Sequence, residues 1–291
     1  MVYLKSFKLP SEKDEDGVIL NTRTHQLNMS CYTDTPYPFK LFPKKQLQSI
    51  EFEPVTMFCG SNGSGKSTLL NIICEKLRLE RTSLFNDSPL FKSYTDMCKY
   101  YAVDIPDGSK YISSDDVFDF MLDIRAINKG VDRRREELFY EYYITRKTPL
   151  ENLTSLDDYE EFKRVMNAKR GTKNSYVTAR LGKKDLYTAS NGESAFSYFT
   201  KEIKENALYL LDEPENSLSP ERRIELAKFI EDSARFYNCQ FIICTHCPFL
   251  MSVKGAKIYD MDGYPIVTKR WSEFENVKLY RDFFKSHENE F

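Results

Sequence analysis

One glycine-rich segment limits the fold of this 291-residue chain more than any other feature. It fits the pattern G-x-x-x-x-G-K-[ST] at every fixed position and follows an apolar run that ends at Cys59. Glycines let successive backbone N–H groups face phosphate oxygens. The amphipathic segment from Ser67 to about Leu79 predicts a helix whose positive end points at the same anion. The pattern therefore predicts a strand, a phosphate-binding loop and a helix. The loop residues are Gly60, Ser61, Asn62, Gly63, Ser64, Gly65, Lys66 and Ser67.

Two side chains of the loop have distinct expected roles. Lys66 reaches the outer phosphates of a nucleotide as a point charge, and the Ser67 hydroxyl is a ligand for Mg²⁺. We assign the neighbouring Thr68 to nucleotide binding together with the loop residues. The alternative is a glycine-rich turn with a chance Lys-Ser pair, which the strand-loop-helix context disfavours.

Two more apolar runs end in polar residues, and parallel sheets present ligand chemistry at such strand ends. In "ALYLLDEPENSLSP", Asp212 is placed to hold Mg²⁺ directly or through water, and Glu213 to orient or deprotonate an attacking water. In "QFIICTHCPF", His246 is placed to contact the terminal phosphate. The alternatives are an acidic pair that caps a helix and a purely structural imidazole.

The order of runs along the chain predicts an α/β fold with a mostly parallel sheet flanked by helices. Residues 1–59 contain three short runs that predict an N-terminal antiparallel β part: "VYLKSFKL", "PFKLF" and "SIEFEPVTMFC". Residues from about 80 to 190 predict an inserted, mostly helical lobe with one strand at "NSYVTARL". Its helices include "SSDDVFDFMLDIRAI" and "DRRREELFYEYYITR", which Ser114 and Asp132 are placed to cap. We therefore expect a single domain over residues 1–291 that carries this insertion.

Composition and charge limit the cellular compartment and the kinds of surface that the protein can bind. A net charge of -2 argues against attraction of the whole surface to DNA or anionic membranes. Seven cysteines without framework spacing fit a reducing compartment, and the N-terminal stretch lacks the apolar core of a signal peptide. No apolar run approaches the roughly 20 residues that span a bilayer. We expect a cytoplasmic protein without direct membrane insertion.

The order of the phosphate loop, "SNGES", "LLDEPENSLS" and "CTHCPF" resembles that of ABC-type P-loop ATPases. Within them it looks most like small stand-alone bacterial ATPases related to the SMC and recombination-repair branch. The resemblance implies ATP and Mg²⁺ as cofactors and a head-to-tail homodimer that forms on ATP binding. It also implies that a signature loop of one subunit, here with Ser190 and Gly192, closes on the nucleotide of the other.

The signature loop departs from the family at Asn191, where glycine is usual. Its alternative reading is a capped helix start in which Ser190 bonds back toward Glu193. The usual glutamine at the lobe junction has no obvious counterpart, and our candidate is the pair Ser113–Ser114. Tyr32 and Tyr37 are candidates for stacking on adenine.

Three functions remain open. The first is a soluble ATPase switch coupled to nucleic acid or to a protein effector, in DNA repair or phage defence. The second is the nucleotide-binding subunit of a membrane transporter, and the third is a scaffold that binds nucleotide without hydrolysis. Three basic clusters, around Arg134, Lys169 and Arg180, suggest a nucleic-acid groove or simply solvated helix faces.

Overall fold

The computed structural model describes residues 1–25, 37–85, 87–88, 90–147, 159–172, 176–177, 180 and 191–290. The chain divides into two compact units. The larger unit comprises Met1–Phe118 and Ala195–Phe291, and the smaller unit comprises Asp119–Ser194. The expectation of a lobe over about 80–190 remains a prediction about domain organisation.

The described strands form two sheets in the larger unit. A three-stranded antiparallel sheet has the order β2-β1-β4, and a six-stranded sheet has the order β5-β6-β7-β3-β8-β9, parallel except for the pairing of β9 with β8. The predicted α/β class, the mostly parallel sheet and the antiparallel part are confirmed. The strands are β1 Leu4–Lys8, β2 Ser49–Glu51, β3 Val55–Cys59, β4 Lys99–Ala102, β5 Lys110–Ser113, β6 Leu208–Asp212, β7 Gln240–Thr245, β8 Lys257–Asp260 and β9 Val267–Thr268.

Helices lie between most of these strands along the chain. Their bounds are α1 Glu12–His25, α2 Lys66–Leu77, α3 Phe91–Met97, α4 Ser114–Lys147, α5 Tyr159–Arg170, α6 Asn191–Glu202, α7 Pro220–Phe236, α8 Pro248–Met251 and α9 Glu275–Ser286. Proline stands in the first turn of α7 and α8, where its missing N–H and fixed φ are tolerated.

The central strands of the six-stranded sheet are buried on both faces. Every residue of β3 and β7 is buried, and so are the first four residues of β6. Continuous runs such as "VTMFC" and "QFIICT" have this composition because helices and loops cover both faces of a parallel sheet. The one acidic side chain of these three strands, Asp212, stands at the end of β6, which is where the candidate site lies.

A buried glutamine connects the two sheets of the larger unit. The Oε1 atom of Gln240, at the start of β7, accepts hydrogen bonds of 2.8 Å from the backbone N–H groups of Tyr3 and Leu4. Its Nε2 atom donates to the Leu4 carbonyl at 2.8 Å. Both polar ends of the amide are satisfied, as a fully buried side chain requires.

The smaller unit has its own apolar cluster. Leu138 and Tyr142 of α4 pack with Ala168 of α5 and with Tyr176 and Val177. The Tyr142 hydroxyl donates to the carbonyl of Gly171 at 3.3 Å. Thus α4, which begins in the larger unit, supplies core residues to the smaller unit.

Several expectations about secondary structure are wrong. The run "PFKLF" is a turn rather than a strand, and Lys40 within it has a left-handed φ of 65°. Helix α1 was predicted as strand and turn. Tyr176 and Val177 of "NSYVTARL" are helical, and the two helices expected between Ser114 and Arg146 are the single helix α4. Strands β4 and β5 lie in the range predicted to be mostly helical.

Candidate functional site

The phosphate loop connects β3 to α2 with the geometry that its glycines permit. Gly65 has a left-handed φ of 98°, and a Cβ atom there would lie 3.1 Å from Leu41 Cδ2. A Cβ at Gly60 would lie 3.0 Å from the Cβ of Met261. A side chain at Gly65 would be strained in φ, and one at Gly60 would be crowded by its neighbours.

Lys66 folds back over the loop that precedes it. Its ammonium donates to the carbonyl oxygens of Gly60 at 2.9 Å and Ser61 at 3.0 Å. The side chain is 4% exposed, and Nζ lies 3.9 Å from Oε1 of Glu213. Because an ammonium has three donors, one remains for an anion held by the loop. Helix α2 starts here without a side-chain cap, which leaves its first N–H groups for the same anion.

Two side chains from outside the motif hold the loop in place. Asp262, in the turn after β8, accepts hydrogen bonds from the N–H of Ser61 at 2.7 Å and from its hydroxyl at 2.8 Å. Lys45 donates to the carbonyls of Ser64 at 2.8 Å and Met261 at 2.5 Å. Burial lowers the pKa of Lys45, and the nearby Asp262 partly offsets this. No motif in the sequence indicates the contacts of Asp262 and Lys45 with the loop.

The predicted metal ligands meet. The hydroxyl of Ser67 donates to Oδ1 of Asp212 at 3.0 Å. Adjacent ligands of an octahedral Mg²⁺ at about 2.1 Å lie roughly 3.0 Å apart, so the two oxygens fit one ion. Burial raises the pKa of Asp212, and the hydrogen bonds from Ser67 and Tyr111 act in the opposite direction. The residues present therefore fit Mg²⁺.

Glu213 follows the buried strand in a strained conformation. Its φ is 48°, in the left-handed region, and its N–H donates to the carbonyl of Cys244 at 2.9 Å. The side chain points back over the strand ends, where Oε1 lies 3.9 Å from both Lys66 Nζ and His246 Nδ1. Asn216 donates to Oε2 at 2.9 Å and orients the carboxylate.

The end of β7 is tied to the loop after β6. Oε1 of the buried Glu215 accepts hydrogen bonds from the Thr245 hydroxyl at 2.5 Å and from the N–H of His246 at 3.0 Å. The Thr245 hydroxyl in turn accepts from the N–H of Cys247 at 3.0 Å. The imidazole of His246 is half exposed, with Nδ1 3.6 Å from Glu215 Oε1. The resemblance to ABC-type ATPases places Glu215 in the loop after the catalytic acids, at the dimer interface, and does not indicate these buried contacts with the end of β7.

The remaining predicted residues differ in what the structure says of them. Asn62 and Gly63 line an open cleft beside the loop together with Tyr264. Thr68 accepts a hydrogen bond from the Tyr37 hydroxyl at 3.2 Å. Gly192 lies in the first turn of α6. Ser190 and Tyr32 lie outside the described residues.

Residues of two of the three basic clusters contact neighbouring side chains. Arg133 and Arg134 both pair with Glu137 on α4, at 3.6 and 3.0 Å, as on a solvated helix face. The guanidinium of Arg180 lies 3.8 Å from the ring centroid of Tyr176. None of the described helices is long and apolar enough to cross a membrane.

Comparison with known families decides the assignment. A family model described as "ABC transporter" matches residues 48–216, which is more than half of the chain and includes the phosphate loop, Asp212 and Glu213. The chain belongs to the ABC-type ATPase family. A second model, described as "AAA ATPase domain", matches residues 193–251. This ABC-type ATPase therefore uses ATP and Mg²⁺ and hydrolyses the nucleotide.

Solved structures with similarity include SMC head domains and an ATP-binding cassette from an ABC transporter. The SMC head domain from Thermotoga maritima is 14% identical, with 92% of this chain and 98% of that chain covered and a TM-score of 0.40. The Smc head domain with an extended coiled coil, bound to the C-terminal domain of ScpA derived from Pyrococcus furiosus, is 16% identical. The match covers 97% of this chain and 100% of that chain, with a TM-score of 0.42. A nucleotide-free ATP-binding cassette from an ABC transporter is 15% identical, with 80% of this chain and 87% of that chain covered and a TM-score of 0.36. A search of curated proteins found no match.

Proposed function

We propose that this ABC-type ATPase is a switch that closes as a head-to-tail homodimer on ATP and opens after hydrolysis. The switch is coupled to nucleic acid or to a protein effector, as in DNA repair or phage defence. The residues named for binding and hydrolysis are part of this proposal. The observation that carries it is the position of Glu213 Oε1, 3.9 Å from both Lys66 Nζ and His246 Nδ1.

Each group has a role that its contacts support. Lys66 binds the terminal phosphates with the donor that the loop carbonyls leave free. Glu213, oriented by Asn216, takes a proton of the attacking water while the water oxygen bonds to the terminal phosphorus. The bond from that phosphorus to the bridging oxygen breaks, and ADP leaves with the bridging oxygen. His246, whose Nδ1 lies 3.9 Å from the same carboxylate oxygen, donates to the phosphate oxygens. Ser67 and Asp212 would hold Mg²⁺, which would neutralise phosphate charge.

Removing only the proton acceptor tests the switch. In Glu213→Gln the amide keeps the shape of the side chain but cannot accept the proton of water. We expect ATP hydrolysis to fall by at least roughly 100-fold while ATP binding persists. Light scattering coupled to gel filtration should then show a dimer in the presence of ATP and Mg²⁺ and a monomer without nucleotide.

Lys66→Ala is the matched control, because it removes the phosphate contact and leaves Glu213 in place. It should neither hydrolyse ATP nor dimerise. A Glu213→Gln protein that stays monomeric with saturating ATP would contradict the sandwich dimer. Wild-type protein without hydrolysis, with or without DNA, would favour a non-hydrolysing scaffold. Turnover that rises with DNA and weakens with salt would identify nucleic acid as the coupled partner.

The transporter subunit remains the second candidate, because the description of the family model names transporters. Such a subunit would need a membrane-spanning partner. Affinity purification of the tagged protein from detergent-solubilised membranes separates the two functions. A stoichiometric multi-span membrane protein would favour the transporter, and ATP-dependent recovery of nucleic acid or a non-membrane protein would favour the switch.

A further inference from the structure

Strand β5 approaches the metal ligands from the edge of the parallel sheet. It pairs with β6 so that Ser113 lies opposite Asp212 and Tyr111 lies opposite Leu210. Ser113 was the candidate for a polar side chain at this junction. Its N–H and hydroxyl both donate to Oδ2 of Asp116, at 2.7 and 2.8 Å, so it serves the start of α4. The residue of β5 that reaches the site is Tyr111.

The contact between Tyr111 and Asp212 is direct and buried. The Tyr111 hydroxyl donates to Oδ2 of Asp212 at 3.0 Å, and the tyrosine is 4% exposed. The guanidinium of Arg81 lies 4.5 Å from the centroid of the tyrosine ring. Arg81 is itself held, since it donates to Asn71 Oδ1 at 3.0 Å and to the Ser83 carbonyl at 2.8 Å. The ring therefore has a fixed position between the arginine and the carboxylate.

We propose that Tyr111 is a positioning residue for the metal site, holding Oδ2 of Asp212 so that Oδ1 faces the Ser67 hydroxyl. The inference rests on the proposed role of Ser67 and Asp212 as ligands of Mg²⁺. The Ser67 hydroxyl proton bonds Oδ1 in the structure. With an ion bound to both oxygens, that hydrogen bond would be lost, and the Tyr111 hydroxyl would still hold the carboxylate in the same rotation.

The hydroxyl of Tyr111 does more than fill space. A phenylalanine keeps the ring contact with Arg81, but it leaves Oδ2 of the Asp212 carboxylate without this donor, which lowers stability. The same bond also fixes the orientation of Asp212, and partners that orient a metal ligand typically affect metal affinity strongly. Stability and orientation therefore need separate measurements.

Tyr111→Phe removes only the hydroxyl, so it isolates this contact. Binding of ADP, which avoids turnover, is measured by calorimetry in Mg²⁺ and in EDTA. Affinity in EDTA should stay close to that of wild type. The ratio of the affinities with and without Mg²⁺ should fall roughly tenfold, or to one if the wild-type ratio is smaller. The Mg²⁺ concentration for half-maximal ATP hydrolysis should rise correspondingly.

Tyr209→Phe is the matched control. Tyr209 is a buried tyrosine on the neighbouring strand β6, and its hydroxyl accepts from the Lys204 N–H at 2.6 Å and donates to the Lys204 carbonyl at 3.0 Å. This variant loses comparable hydrogen bonds but should keep the wild-type Mg²⁺ ratio. A second check combines Tyr111→Phe with Asp212→Asn, where the tyrosine substitution should have no further effect on the ratio.

The outcomes separate this inference from the proposed function. A wild-type protein whose ADP affinity does not respond to Mg²⁺ would overturn the metal assignment and the role of Tyr111 with it. A wild-type response that Tyr111→Phe retains in full would overturn the role of Tyr111 alone. Equal losses in Tyr111→Phe and Tyr209→Phe would also overturn it, because the effect would then be general destabilisation. Each ratio compares one protein with itself, so a lower thermal midpoint does not obscure the result.

Discussion

The hydroxyl of Thr245 is expected to hold the end of β7 in place, and Thr245→Val tests this contact without changing the shape of the side chain. The hydroxyl donates to the buried carboxylate of Glu215 at 2.5 Å and accepts from the N–H of Cys247 at 3.0 Å. Thr245 and Glu215 are 0% and 1% exposed, so water does not replace either partner. Valine keeps the branched shape and removes both hydrogen bonds.

The magnitude follows from these two losses. A hydrogen bond to a charged group contributes about 1.5–3 kcal/mol, and an unpaired buried N–H costs about 1–3 kcal/mol. We therefore expect Thr245→Val to lower the free energy of unfolding of the larger unit by about 3–5 kcal/mol. Thr245→Ser keeps the hydroxyl and loses one methyl group, which costs about 1 kcal/mol. The difference between the two variants measures the hydroxyl.

The assay is urea unfolding followed by tryptophan fluorescence. The chain has one tryptophan, Trp271, which lies in the larger unit with Thr245. The signal therefore reports the unit that carries the substitution and does not include the smaller unit. If the valine and serine variants unfold at the same urea concentration, the hydroxyl contributes nothing and the reasoning about Glu215 is wrong.

Two other substitutions test the support of the phosphate loop. Gly65→Ala should lower ATP affinity at least roughly tenfold and the free energy of unfolding by about 1–2 kcal/mol, because the φ of Gly65 is 98° and Leu41 crowds the added Cβ. Calorimetry measures the affinity, and thermal unfolding measures the stability. The control is Gly108→Ala, whose added Cβ meets nothing within 4 Å and which should match wild type. Lys45→Met tests the buried ammonium of Lys45. Folding lowers the pKa of Lys45 below 10.5, so between the lowered pKa and 10.5 the unfolded state binds more protons than the folded state. The free energy of unfolding of the wild type therefore rises with pH in this range. The variant should lack this rise in urea unfolding at several pH values; a parallel rise in both proteins would show that Lys45 is not its source.

The parts of the site that the sequence predicts are those that each follow a recognisable run. Asp212 and His246 stand at the ends of two apolar segments, and Lys66 follows the glycine-rich loop after a third. The three segments form consecutive strands of the sheet, so the carboxyl ends of those strands bring these residues together. Lys45 and Tyr111 have no such signal. Their contacts depend on which strand lies beside which and in what register, and a single sequence contains no direct record of either.

The errors in secondary structure have local physical causes. The apolar residues of "PFKLF" predict a buried strand. Phe39 and Phe42 are indeed buried, but they lie in a turn in which Lys40 has a left-handed φ. Helix α4 continues past Gly130 where two helices were expected, because an isolated glycine costs a helix only about 1 kcal/mol. A short apolar run is therefore a weak indication of a strand, and an isolated glycine is a weak indication of a helix end. The phosphate-loop pattern is a stronger indication of the strand, loop and helix that carry it.

The order of the parallel strands explains why so many contacts converge. The strands lie in the spatial order β5-β6-β7-β3-β8. From one to the next they carry or lead into Tyr111, Asp212, Thr245, the phosphate loop and Asp262. Backbone hydrogen bonds fix the spacing of these strands, so their polar ends are in place before any ligand binds. The backbone of Glu213 is tied to β7 by the bond from its N–H to the Cys244 carbonyl, whereas its carboxylate is oriented by a hydrogen bond from the exposed Asn216. It follows that closing of the site should move the Glu213 carboxylate more than the strand ends on either side of it.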